Sequence, residues 1–589
     1  MHQRTGTSVP ARPRVAPGRS RARKGTTLPP IRLRLGALLA AMLVCFAAIG
    51  MRLYDLQTRD RPHLSSLGVG QRVQTISISA ARGSIFDRNG VELAMSVPQT
   101  TISADPRVID DPIGYAAKLA PIVMTDQAAL AERLGAKHSA FAYVGRKLDD
   151  DKVKQVKALH LTGLSYTPEP KRFYPSGSLA GPVIGFVGTD NTGLGGLESQ
   201  YEKQLTGTAG EVRVERDPQG NEIPGSSRVV QAAKPGDDLV LTIDQSIQWN
   251  TEQVLTQQVA AAKAKGGMAI VADVRTGDIL AMVSVDGDDP TRPASRAPNS
   301  ANNTPVTSVF EPGSTNKVIT MAGAIEEGLV SPDTTFDDIY SSVKVGDTQY
   351  DDVESHPSTM SVADILRESS NVGTIKIASM LGKTRFDHYL RSFGFGQKTA
   401  LDFAGESGGI LMPLQNYNDT SMGSMPIGNG IAVTALQMLD VYMTIANGGM
   451  ARSPRLVAAT IDADGKRHDA PLAAPHLVVS ANTASQVNSM LQGVVNGGTG
   501  MAAKLDGYAT AGKTGTARKP PYDKPPYKYV ASFAGFAPAD SPQLAAIVVL
   551  DEPAGVSYFA SEVAAPLFKQ VMQFALTAER IAPNQPAAR

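Results

Sequence analysis

The sequence predicts an α+β chain anchored in a membrane, with a mainly β domain first and then a larger domain in which helices cover one antiparallel sheet. Three observations predict it. Seventeen residues without a charge, Leu35 to Met51, follow a basic tail. Short alternating segments broken by turn signals fill residues 70–235. Strand patterns near 239–284 and again near 509–550 bracket a helix-rich middle, so one sheet is assembled from distant segments.

With 589 residues, 42% of them hydrophobic and 19% charged, the chain has material for several cores, and disorder throughout is excluded. Nine of its 57 Lys and Arg residues, and none of its 56 Asp and Glu, fall in residues 1–34. Such a tail fits either nucleic acid or the inner face of a membrane. The apolar segment decides for the membrane. Arg32 and Arg34 before it and Arg52 after it place the tail in the cytoplasm and the rest outside. A cleaved signal peptide ending near Ala48-Ile49-Gly50 is the competing reading, but a 34-residue basic preamble is long for one. The sole cysteine, Cys45, lies in this segment, so neither a disulfide framework nor a cysteine zinc site is available. The eight histidines show no ligand spacing, and no metal or other cofactor is expected. His356 and His388 read as surface or helix-packing residues, Asp351-Asp352 as a solvated turn, and Trp249 as a helix contact.

The elements follow in order. Leu53 to Gly70 is a juxtamembrane helix or linker. Ile76, Ile78 and Ala80 alternate as a strand, and Asn89-Gly90 marks a tight turn. A helix is expected from Glu198 to Leu205, a strand from Glu211 to Arg216, and a turn at Asp217-Pro218-Gln219-Gly220. From Asp237 a second domain opens with a strand, then a helix from Gln245 to Ala264. A hairpin follows, Met268–Val274 and Ile279–Ser284, around Arg275-Thr276-Gly277-Asp278. Val318, Met321, Ala322 and Ile325 mark one face of a helix that Gly328 stops. Helices are expected over 361–368, 371–381, 383–393 and 432–447. Strands follow over 509–517, 529–536 and 544–550, and a last apolar helix over 561–576.

The chemistry gathers around Phe310-Glu311-Pro312-Gly313-Ser314-Thr315-Asn316-Lys317. Pro312-Gly313 turns the chain into the helix, placing Ser314 at its N-terminus with Lys317 three residues on. A serine hydroxyl becomes a nucleophile only when a neighbouring base takes its proton, and a lysine serves only when burial or nearby positive charge lowers its pKa. Ser-x-x-Lys alone is weak, since Ser341-Ser342-Val343-Lys344 matches it in a polar segment. Two more motifs follow in order: Ser369-Ser370-Asn371 between two helical patterns, and Lys513-Thr514-Gly515-Thr516 in a glycine- and threonine-rich strand. Attack on an amide-like carbonyl needs a nucleophile, a proton shuttle, oxyanion donors and a grip on the substrate carboxylate. Ser314 would attack and Lys317 act as base. Ser369 would pass the proton to the leaving amine, and Asn371 would position Lys317 and the substrate amide. Lys513 would add positive charge that keeps Lys317 neutral and attracts a carboxylate. Thr514 and Gly515 would face the substrate, with Gly515 allowing close approach. The N–H groups of Ser314 and Thr516 would form the oxyanion hole.

The three motifs in this order resemble those of the penicillin-binding proteins and serine β-lactamases. Arg82-Gly83-Ser84-Ile85-Phe86-Asp87-Arg88-Asn89-Gly90 is similar to the opening motif of the N-terminal domain of class B penicillin-binding proteins. Gly196-Leu197-Glu198 with Tyr201, Leu205, Gly207 and Gly210 resembles a later motif of that domain. The resemblance covers about residues 35–578. It implies a cytoplasmic tail (1–34), a transmembrane helix (35–53), a non-catalytic pedestal of the dimerisation type (54–235), a transpeptidase domain of β-lactamase-like fold (236–578) and a second disordered tail (579–589). It also implies a D,D-transpeptidase that cross-links peptidoglycan stem peptides and is acylated by β-lactams. A polytopic membrane glycosyltransferase and other division proteins are its expected partners, and nucleic acid is not. Ser532-Phe533-Ala534-Gly535-Phe536-Ala537-Pro538 and the segment lengths look more like the division group than the elongation group. A β-lactamase or carboxypeptidase is the first alternative. It would need a deacylating glutamate, and Glu406 reads instead as a turn residue, with Ile410 where that pattern has asparagine. A non-enzymatic β-lactam sensor is the second, and the complete set of catalytic side chains weighs against it.

Overall fold

A computed structural model describes residues 31–585 apart from 60, 216, 218–222, 224 and 288–301. Most of the basic tail and the turn expected at Asp217-Pro218-Gln219-Gly220 therefore lie outside the described residues. The chain forms two compact units, residues 1–74 with 215–218, and residues 75–214 with 219–589.

In the first unit, Ile31–Thr58 is one 28-residue helix, longer than the 35–53 span expected, and Arg61–Arg72 is a second helix. None of the first helix's residues is buried, and it is the one helix among the described residues long and apolar enough to cross a membrane. At about 1.5 Å per residue it exceeds a bilayer's hydrocarbon core of about 30 Å.

The second unit is built on a five-stranded antiparallel sheet in the order Ile279–Asp286, Gly266–Asp273, Leu544–Asp551, Tyr529–Ala537, Ala511–Arg518. Two strands come from early in the domain and three from its end, as the sequence predicts. Alternation fills both faces. Ile547 and Val549 join a core with the helices Lys317–Glu326 and Ala435–Ala446. Ala546, Val548 and Leu550 join a second core with Gln245–Ala261 and Ala565–Ala578. The middle helices fall within a few residues of expectation, at Val362–Arg367, Asn371–Leu381 and Lys383–Ser392. One core helix escapes the sequence reading: Ala481–Gly497, capped by Ser480 and buried through Val487, Leu491 and Val494.

The pedestal is mixed rather than mainly β. A three-stranded sheet, Ala142–Leu148, Thr100–Ala104, Leu164–Pro168, carries the helices Pro112–Val123, Gln127–Gly135 and Asp150–Ala158 around a core of their own. Each of these helices starts on an aspartate, Asp111, Asp126 or Asp149, whose carboxylate accepts a backbone N–H of the first turn. Their buried faces are short, Ala116, Leu119, Ala120 and Val123 in the first and two residues each in the others.

No linker separates pedestal from second domain at 235/236. Asp238–Leu241 pairs in parallel with Ile85–Phe86 of the pedestal and antiparallel with Val457–Ile461 of the second domain. Gly83 is held so close to this junction that a Cβ would stand 2.0 Å from the Asp237 carbonyl oxygen. The two pedestal motifs meet beside it. Arg82 Nε reaches Glu198 Oε2 at 2.5 Å, Arg172 Nε reaches Glu198 Oε1 at 2.7 Å, and all three residues are buried. At the C-terminal end, the backbone N–H groups of Asn584 and Gln585 donate to the Gly507 carbonyl. The segment expected to be a disordered tail is thus tied down as far as residue 585.

Candidate active site

Ser314 is the second residue of a 3-10 turn, Gly313–Asn316, and the α-helix begins only at Lys317. The tighter turn has identifiable causes. Gly313 sits at φ +56°, donates its N–H to the Gly428 carbonyl at 3.1 Å, and lies against Thr516 and Ala517. Gly428 itself leaves no room for a side chain, since a Cβ would meet the Gly313 carbonyl at 2.1 Å. Tyr442 Oη donates to the Thr315 carbonyl at 3.0 Å, and Asn316 Nδ2 to the Met425 carbonyl at 2.9 Å. The nucleophile's turn is clamped from three sides while Ser314 stays half-buried.

The helix after it is buried on every face from Lys317 to Ile325, not along one stripe. Lys317 is fully buried, yet its Nζ donates to the Ser369 carbonyl at 2.6 Å, Asn371 Oδ1 at 2.8 Å and Ser369 Oγ at 3.3 Å. Ser369 sits at φ +62°, the left-handed backbone that turns both of its oxygens towards the amine. Burial lowers the Lys317 pKa to about 7 against an opposing pull from Asp352. The first two motifs therefore meet as the sequence predicts.

The third motif lies on the edge strand Ala511–Arg518. Lys513 is also fully buried. Its Nζ donates to Thr514 Oγ1 at 3.2 Å, and to the Thr514 carbonyl and Thr499 Oγ1 at 3.3 Å. Burial first, and then repulsion from Lys317, hold it well below the ordinary lysine value, while Glu368 pulls the other way. Burial therefore works against the positive charge expected at Lys513. Among the described residues, neither lysine forms a salt bridge with a carboxylate.

Gly515 also differs from expectation. A Cβ there would meet Ser532 Oγ at 2.6 Å, the Pro312 carbonyl at 2.7 Å and Thr315 Cγ2 at 2.9 Å. The missing side chain lets the strand press on the nucleophile's turn and does not clear a path for substrate. Thr516 Oγ1 accepts the Ala560 N–H at 3.1 Å, fixing the strand beside Gly313. The decoy Ser341-Ser342-Val343-Lys344 enters an exposed hairpin, Ser342–Val345 with Thr348–Asp351. Glu406 accepts from the Thr399 N–H at 2.7 Å and Thr399 Oγ1 at 2.6 Å, a local turn contact.

Sequence reasoning misses two contributors. Thr499 Oγ1 lies 2.9 Å from Thr514 Oγ1 and accepts from Lys513; the Gly497-Gly498-Thr499-Gly500 run after a helix is its only signal. Asp352 is no solvated turn. Its side chain is 2% exposed and accepts from Ser370 Oγ at 2.7 Å, from His356 Nε2 at 2.7 Å, and from the backbone N–H groups of Asn371 and Val372.

Comparison with known proteins gives the same architecture. Residues 267–573 match the penicillin-binding protein transpeptidase domain, and residues 77–241 the penicillin-binding protein dimerisation domain. Stage V sporulation protein D of Bacillus subtilis is 33% identical over 94% of this chain and 87% of its own length. A protein named probable peptidoglycan D,D-transpeptidase PenA, from Neisseria meningitidis, is 32% identical over 98% and 97%. Penicillin binding protein 3 of Mycobacterium tuberculosis, crystallised with aztreonam, superposes with a TM-score of 0.66 at 30% identity, over 87% of this chain and all of that one. An antiparallel sheet with a Ser-x-x-Lys turn at its edge strand defines a serine acyl-transfer fold. Joined to the dimerisation-type pedestal, it places the chain in the class B penicillin-binding proteins.

Proposed function

We propose that this chain is a peptidoglycan D,D-transpeptidase that works through an acyl-enzyme on Ser314. The buried Lys317 amine carries this reading: hydrogen-bonded on three sides and lowered to about 7, it is a base poised near neutral pH. Neutral Lys317 takes the proton from Ser314 Oγ as that oxygen attacks the donor stem peptide's carbonyl. The N–H groups of Ser314 and Thr516 receive the oxyanion. Ser369 Oγ, 3.3 Å from Lys317 Nζ, returns the proton to the leaving amine as the C–N bond breaks. A second stem peptide's amine then attacks the ester, forming the cross-link and freeing Ser314. Asn371 holds Lys317 through Oδ1 and has Nδ2 donated to the Asp351 carbonyl at 2.9 Å. A substrate carboxylate beside Lys513 and Thr514 offsets the burial of Lys513 and favours its charged form.

β-Lactams fit as strained amides that acylate Ser314, in keeping with the aztreonam complex of the relative. The helix Ile31–Thr58 anchors the chain, and the positive Arg32 and Arg34 support a cytoplasmic N-terminus. The catalytic domain then works outside, with a polytopic glycosyltransferase supplying glycan strands. The division-type resemblance of Ser532–Pro538 favours a septal role; depletion that gives filaments supports it, and rounded cells speak for elongation. The experiment for the enzyme is full-length chain in detergent micelles, with a fluorescent penicillin, beside Ser314→Ala. Label stable over hours on the parent and absent from the variant is expected. Rapid loss of label would mark a hydrolase.

A further inference from the structure

His356 and Asp352 lie behind the Ser369-Ser370-Asn371 turn and make a group the reaction as described does not use. Their side chains are 7% and 2% exposed. His356 Nε2 faces Asp352 Oδ2 at 2.7 Å, and Nδ1 faces the Pro357 carbonyl at 2.9 Å. Both ring nitrogens thus meet acceptors, and only the imidazolium donates from both. The Asp352 carboxylate in turn holds the start of the helix Asn371–Leu381 through the N–H groups of Asn371 and Val372, and fixes the Ser370 hydroxyl. Asn371 and Ser369 are the residues that hold Lys317.

We propose that Asp352 and His356 are a positioning pair for acylation: Asp352 presents the Ser369–Asn371 turn to Lys317, and the His356 imidazolium cancels the Asp352 charge that Lys317 would otherwise feel. Buried charge at this spot acts directly on the base, because Asp352 favours the protonated Lys317. The hydrogen bonds to Pro357 and Asp352 overcome burial and raise the His356 pKa, and Glu368 adds to them. Lys317 and Lys513 repel each other, and Glu368 acts on both Lys513 and His356. Arg367 holds Glu368 at 2.8 Å and Asp364 at 2.8 Å. The Asp351 carboxylate accepts from Gln349 at 2.7 Å.

The inference rests on Lys317 as the base, and the test separates the two. Acylation of the full-length chain by a fluorescent penicillin is followed from about pH 5.5 to 9. His356→Gln leaves Asp352 uncompensated, so the rising limb moves about 0.5 unit to higher pH. Asp352→Asn removes the charge but keeps an oxygen for the N–H groups, so the limb moves to lower pH. The double variant returns it towards the parent. A purely structural pair would lower the plateau in each variant and leave the limb in place, which overturns the proposal, as do single variants that shift the same way. Should Asp352→Asn fail to fold, the direction for His356→Gln alone decides. A parent with no limb at all refutes the base itself.

Discussion

In the pedestal, Arg82 and Arg172 close on Glu198 and bury a carboxylate with its counter-charges. In the transpeptidase domain, Lys317 and Lys513 are buried just as deeply, and hydroxyl, carbonyl and amide oxygens are their partners. Both groups cost solvation to bury. The pedestal offsets that cost with opposite charge and knits two distant motifs into one junction. The catalytic group leaves it standing, and the cost appears as lowered lysine pKa values. Compensated charge here makes structure, and uncompensated charge makes a base.

The comparison breaks most visibly at Lys317. Lys317→Met keeps the packing and removes the amine, so acylation by penicillin falls by about 10³-fold, within the range for a lost general base. A stopped-flow or gel-based labelling rate measures it, and a variant that labels at the parent's rate separates burial from function. Glu198→Ala sharpens the other side. It strands the buried Arg172, leaves Arg82 with Glu202 alone, and costs about 3–5 kcal/mol of stability. Thermal or denaturant unfolding of the full chain reads that loss, while the acylation rate of the folded fraction stays within about twofold of the parent. The smallest effect belongs to Glu406→Gln. Its carboxylate serves the local Thr399 turn, so the lifetime of the penicillin adduct is unchanged; a markedly longer lifetime would give Glu406 a deacylating role.

How much of this the sequence shows depends on whether a role is local. Ser314 and Lys317 are legible because a spacing of three residues puts them on one face of a turn. The five strands are legible as short apolar runs between turn signals, and nearly all their residues are buried on both faces. Lys513 is legible as a residue, but its charge state is set by how deeply the edge strand is packed. Gly515 is legible as a required glycine, but Pro312 and Thr315, about two hundred residues away in sequence, crowd its Cβ position. Asp352 looks like a solvated turn because it follows an exposed hairpin and carries a second acidic neighbour. Only the tertiary approach of Ser370 and Asn371 turns it into a cap. The pedestal helices show in their aspartate caps, a signal weaker than the flanking alternation.

Burial with no carboxylate among the described residues in salt-bridge reach brings the Lys317 amine to titrate at about 7. The dependence of the acylation rate on pH, measured on the full-length parent with a fluorescent penicillin, tests it most directly. A single rise with its midpoint at about 7 and a plateau above is expected. A flat profile, or a rise centred near the ordinary lysine value of about 10.4, would contradict it.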